Sequence, residues 1–105
     1  MKDYLTNLLN NALKDLVKSF DKDIIQVSRP KQIQHGDFST NVSLPLAKIL
    51  KKAPIEIAKG IVKRIPSSTL IEKVEIAGPG YINFFLSSEA RVELVNKILS
   101  LHPSL

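Results

Sequence analysis

Ala77-Gly78-Pro79-Gly80-Tyr81-Ile82-Asn83-Phe84-Phe85-Leu86 is a Gly-Pro-Gly turn that runs into a strand with two unlike faces. Side chains of an extended strand alternate between its two sides. Ile82, Phe84 and Leu86 therefore share one face, which is core material, and Tyr81, Asn83 and Phe85 share the other. The preceding stretch, 71–77, alternates as well, with Val74 and Ile76 on one side and Lys73 and Glu75 on the other. Two alternating runs joined by so tight a turn predict an antiparallel hairpin. Its outer face then carries an aromatic ring and a carboxamide two residues apart. A ring stacks on a nucleobase and an amide hydrogen-bonds a base edge, which makes Tyr81 and Asn83 candidate RNA-binding residues. The same pair also reads as the polar face of an edge strand.

Around this hairpin the sequence predicts helices. Leu5, Leu8, Leu9, Ala12, Leu13, Leu16, Val17 and Phe20 recur at the spacing of an amphipathic helix over 3–20. The β-branched stretch 24–28 predicts a short strand. Ser39 or Thr40 can cap a helix reaching about Lys51, which Pro45 forces to start late or to bend. Pro54 opens a helix over 54–65, with Ile57, Ala58, Ile61, Val62 and Ile65 as its apolar stripe. Ser87 or Ser88 caps a last helix over about 88–101, buried through Leu94, Val95, Ile98 and Leu99. The expected fold class is α+β: a small antiparallel sheet of three or four strands packed on about four helices, one domain over 1–105.

Composition narrows the function. Hydrophobic residues make up 44% and charged residues 24% of the 105, as in ordinary globular proteins. The chain has no cysteine, which excludes disulfides and thiolate metal sites. Asp3 and neighbouring polar residues distinguish the N-terminus from a signal peptide, and no apolar run has the length of a membrane span. Net charge is +5, and it is localised. Lys48, Lys51, Lys52, Lys59, Lys63 and Arg64 face only Glu56 in the stretch 48–64, and the rest of the chain is balanced. Such a stripe suits a polyanion, with Lys48, Lys51, Lys52, Lys59 and Lys63 as candidate phosphate contacts; it also suits a solvated helix face.

Other chemistry finds little support. His35, Asp37 and Ser39 are of catalytic types, but a nucleophilic hydrolase needs an activated nucleophile, an oriented base and an oxyanion hole. A His-Gly-Asp turn, with Gly36 bending and Asp37 accepting backbone N–H groups, accounts for these residues. Gly78-Pro79-Gly80 lacks the Gly-Lys-Ser/Thr ending of a phosphate loop and precedes a strand. No metal-ligand or catalytic set is expected.

His35-Gly36-Asp37-Phe38-Ser39-Thr40-Asn41-Val42, then Leu46-Ala47-Lys48, then Ile76-Ala77-Gly78-Pro79-Gly80-Tyr81-Ile82-Asn83-Phe84 follow one another at a characteristic spacing. They resemble the N-terminal domain of arginyl-tRNA synthetases, over essentially residues 1–100. The resemblance implies a domain that meets the tRNA elbow at the D-loop, with a base stacked on Tyr81 and hydrogen-bonded by Asn83. It implies an arginine-specific tRNA as partner and a cytoplasmic location. That family's His-x-Gly-His-type and Lys-Met-Ser-Lys-type signatures are absent from these residues. The expectation is therefore a tRNA-docking part of a larger ligase, inactive by itself and without a cofactor. ATP with magnesium would serve the parent enzyme, whose catalytic domain the chain would contact. The alternative is a protein-interaction or structural domain, with Phe85 packing on that missing domain.

Overall fold

A computed structural model describes residues 1–92, the side chains of Lys22 and Ile33 excepted. Helix α1 (Lys2–Leu16) comes first, then strands β1 (Val27–Ser28) and β2 (Phe38–Thr40). Helices α2 (Ser43–Leu50) and α3 (Pro54–Arg64) follow, and strands β3 (Ile71–Ala77) and β4 (Tyr81–Leu86) form the hairpin. Short 3-10 turns occupy Lys22–Ile24 and Ile33–His35, and 88–92 is helical. The four strands form one antiparallel sheet in the order β1-β2-β4-β3, so β4 lies in the interior. This is the α+β class expected.

The register sorts the sheet into rows. Val27, Thr40, Ile82 and Ile76 stand side by side, as do Phe38, Phe84 and Val74. These rows form the inner face. Ile82, Phe84 and Leu86 are sealed there with Leu5, Leu9 and Leu13 of α1 and Ile57, Ala58 and Ile61 of α3. Burying one such aliphatic or aromatic side chain is worth roughly 1.5–3 kcal/mol, so this helix-on-sheet layer orients the hairpin. On the outer face a second row runs Ser28, Ser39, Asn83, Glu75.

Three local expectations differ from what forms. The strand expected over 24–28 shrinks to Val27–Ser28, because Asp21 holds the chain in a 3-10 turn. Its carboxylate accepts the Asp23 N–H at 3.0 Å and its carbonyl the Ile24 N–H at 3.1 Å. Ile25 then turns into the core. Ser39 and Thr40 are strand residues paired with Asn83 and Ile82, so ladder pairing overrides their capping tendency. Thr40 Oγ1 still accepts the Val42 N–H at 3.3 Å, and α2 begins at Ser43 with Pro45 in its first turn, where a missing N–H is harmless. Helix α1 stops at Leu16, where Val17 is extended, yet Val17 and Phe20 still pack on the core. The last helix begins as expected, with Ser87 Oγ accepting the Ala90 N–H at 3.1 Å. Its continuation through Leu94, Val95, Ile98 and Leu99 lies outside the described residues.

Candidate nucleic-acid interface

The turn before Tyr81 is built on backbone that only glycine supplies cheaply. Gly80 has φ of 141°, and a Cβ there would lie 3.0 Å from the backbone of Pro54. The hairpin turn thus sits directly on the start of α3, and the Gly80 N–H closes it onto the Ala77 carbonyl at 3.3 Å. The next residue, Tyr81, is aimed outward and is 40% exposed.

Asn83, two residues on, also lies on the outer face but is only 5% exposed. Strand alternation sets its side, and Ser39 of β2 and Glu75 of β3 flank it. The Gly36-Asp37 segment crosses close to β4, with the Asp37 N–H donated to the Phe84 carbonyl at 2.9 Å. Gly36 fits there because a Cβ would stand 2.6 Å from the Phe84 oxygen. This approach brings Pro30 and His35 over the outer row. The result is a hollow of about 370 Å³ with Asn83, Ser39 and Ser28 along it, Tyr81 and residues 77–79 on one side, and Pro30 and His35 on the other. Among the described residues the Asn83 carboxamide makes no side-chain hydrogen bond. That carboxamide borders the hollow, whereas the sealed side-chain atom without a partner among the described residues is Ser43 Oγ.

Phe85, the third outer residue, is half-buried, and the Lys73 ammonium lies 4.4 Å from its ring centroid. Lys73 also pairs with Glu75 at 3.0 Å. Phe85 is thereby occupied within the sheet.

The five lysines fall elsewhere. None of Lys48, Lys51, Lys52, Lys59 and Lys63 lines the hollow at Tyr81. Lys59 and Lys63 border a separate groove with Arg64, Val62 and Ile76, on the helix side of the sheet. Lys51 and Lys52 end the α2 connection just before Pro54, on which Gly80 rests. The hydrolase constellation does not assemble: Asp37 Oδ2 accepts the Leu86 N–H at 2.8 Å and pairs with Arg91 at 3.1 Å, and no hydrogen bond links it to His35 or Ser39 among the described residues. Local sequence marks Ser28, Pro30, Ser39 and His35 only as strand, loop, cap or turn residues. Their place beside Asn83 depends on cross-strand register and on the path of a loop, neither of which local sequence encodes.

The sheet thus has a helix layer behind it and, in front, a hollow bordered by Asn83 and Tyr81. The sequence model described as "Arginyl tRNA synthetase N terminal domain" matches residues 3–86, and the chain belongs to that family. Among similar proteins, one from Azoarcus sp. (strain BH72), named arginine–tRNA ligase, is 43% identical over 99 residues, covering 94% of this chain and 17% of that protein. Another of the same name from Shewanella piezotolerans is 44% identical over 104 residues, covering 94% of this chain and again 17% of its relative. The chain thus spans about one sixth of the relatives it matches. The solved arginyl-tRNA synthetase of Thermus thermophilus superposes with a TM-score of 0.74 at 29% identity, over 89% of this chain and 15% of that one. The Plasmodium falciparum arginyl-tRNA synthetase shares the fold, with a TM-score of 0.72 at 18% identity over 84% of this chain and 16% of that one.

Proposed function

We propose that this chain is the tRNA-docking portion of an arginine–tRNA ligase and that it grips an unstacked base of the tRNA elbow, in the D-loop, between Tyr81 and Asn83. The observation that carries the reading is the carboxamide of a largely buried residue, Asn83, bordering a hollow that an exposed tyrosine walls. Loop bases at the elbow are splayed and readable, unlike the deep groove of an A-form helix. Stacking on Tyr81 is worth roughly 1–3 kcal/mol, and the amide contacts of Asn83 discriminate between bases at about 1–3 kcal/mol. Lys51 and Lys52, near the turn that presents Tyr81, supply phosphate contacts, with Lys48, Lys59 and Lys63 acting at longer reach. Family membership supports the parent activity: attachment of arginine to its cognate tRNA in the cytoplasm, with ATP and magnesium handled by the catalytic part of the enzyme. Linkage to that part raises the effective concentration of the second contact, so weak docking is sufficient.

The test is titration of labelled arginine-specific tRNA with the 105-residue chain at two salt concentrations. Binding is expected to be weak and salt-sensitive, and to fall at least about tenfold in a Tyr81→Ala, Asn83→Ala double variant. A folded double variant that binds unchanged overturns the assignment. One observation favours a second role beside this one. Ile49 and Ile55 are exposed on α2 and α3, a surface suited to packing on the rest of the enzyme; charged substitutions there would then impair aminoacylation by the parent and spare tRNA binding by this chain.

A further inference from the structure

Tyr81 borders two hollows. Beyond the one floored by Asn83 lies a second, of about 540 Å³, which shares Ser28, Ser39 and Tyr81 with the first and extends between the start of α1 and the ends of β1 and β2. Its chemistry is different. Gln26 and Asn41, both exposed, bring carboxamides that donate and accept; Asp3 brings a carboxylate and Lys2 an ammonium. Resting on the nucleotide reading of the Asn83 hollow, we infer that this neighbouring hollow takes the adjoining nucleotide of the same strand, so that the Tyr81 ring divides two consecutive nucleotides.

The mixture of groups decides which part of that nucleotide goes where. A carboxylate repels a phosphate but accepts hydrogen bonds from hydroxyls, so Asp3 selects the ribose. The 2′-hydroxyl, the group that distinguishes RNA from DNA, is its natural donor. The Gln26 and Asn41 carboxamides match the donor–acceptor pairs on a base edge, and they engage that base only once the bond from the 2′-hydroxyl to Asp3 has seated the ribose. Lys2 takes the phosphate on the solvent side. The Asn83 hollow has no carboxylate and is lined partly by Pro30, Ala77 and Pro79, which fits a base face and carries no preference for sugar. The two hollows therefore divide the work: Asn83 reads a base, and the Asp3–Gln26–Asn41 side reads that the strand is RNA.

The experiment follows side-chain amide resonances of the isotope-labelled 105-residue chain during titration with a single-stranded oligonucleotide of the D-loop sequence, prepared once as RNA and once as DNA. RNA is expected to shift the side-chain amides of Asn83, Gln26 and Asn41 together; DNA is expected to shift Asn83 while Gln26 and Asn41 respond at least several-fold more weakly. A Gln26→Ala, Asn41→Ala double variant, changed only at exposed positions, should lose about tenfold in RNA affinity and keep its DNA affinity within about twofold. Asp3→Asn should narrow the gap between RNA and DNA. If RNA shifts Asn83 and leaves Gln26 and Asn41 unmoved, the second subsite is refuted and the first stands. If none of the three amides moves, the nucleotide reading of both hollows is refuted.

Discussion

Asp37 Oδ2 accepts the backbone N–H of Leu86 at 2.8 Å, although 49 positions separate the two residues. The Asp37 N–H is in turn donated to the Phe84 carbonyl, so one residue clasps the start of β2 to the end of β4. A hydrogen bond to a charged acceptor is worth about 1.5–3 kcal/mol. Asp37→Ala is expected to lower unfolding stability by that amount in a urea titration. The Arg91 pair with the same oxygen is half-exposed, and such pairs contribute below about 1 kcal/mol. Arg91→Ala should therefore cost much less, and equal losses would show that the Leu86 bond is not the stabilising element.

Gly36 and Gly80 are expected to resist substitution for different reasons. At Gly36 a Cβ would meet the Phe84 oxygen at 2.6 Å with φ at 91°, so Gly36→Ala must part β2 from β4. At Gly80 the obstacle is Pro54 at 3.0 Å, and the chain yields by lifting the turn off α3. Left-handed backbone alone costs a non-glycine residue about 1–2 kcal/mol, so each variant should lose at least about 2 kcal/mol in thermal or urea unfolding, Gly36→Ala more. Gly80→Ala should also weaken tRNA binding beyond its effect on stability, because Tyr81 moves with the turn.

The hairpin, its inward Ile82, Phe84 and Leu86, and the outward Tyr81 were legible because strand alternation and a Gly-Pro-Gly turn are local signals. The α3 helix was legible through Pro54 and its stripe. What escaped was set by distance along the chain. Ser39 and Thr40 carry a capping signal that pairing with β4 overrides. Asn83 has the side predicted, but the hollow it borders forms only because the segment before β2, held by bonds to Phe84 and Leu86, places Pro30 and His35 beside it. Gln26, Ser28 and Asn41 meet Tyr81 only through the register β1-β2-β4, which no single segment contains.

The position of the lysines predicts unequal salt behaviour. Removing one lysine that neutralises a phosphate should reduce the slope of log affinity against log salt by a little under one. Lys51→Ala with Lys52→Ala is expected to flatten the slope for tRNA binding. Lys59→Ala with Lys63→Ala, on the helix side of the sheet, should change it less. Equal flattening would mean that the RNA wraps around the β3 edge instead of lying on the outer face alone.

Asn83 offers the sharpest separation of stability from function. A carboxamide that borders a hollow and has no side-chain hydrogen bond among the described residues contributes little to folding, so an apolar replacement leaves few contacts behind it. Asn83→Ala is therefore expected to leave unfolding stability within about 0.5 kcal/mol of the original, or to raise it, as functional sites commonly trade stability for activity. The same substitution should weaken tRNA binding by about 1–3 kcal/mol and blunt discrimination between bases at the contacted position. Tyr81→Phe keeps the ring and should bind within about twofold, whereas Tyr81→Ala should lose about 1–3 kcal/mol. Unfolding curves and tRNA titrations on the same three variants separate the alternatives. If Asn83→Ala unfolds much more easily and binds normally once folded, the amide is a structural member of the sheet and the hollow beside Tyr81 has another purpose.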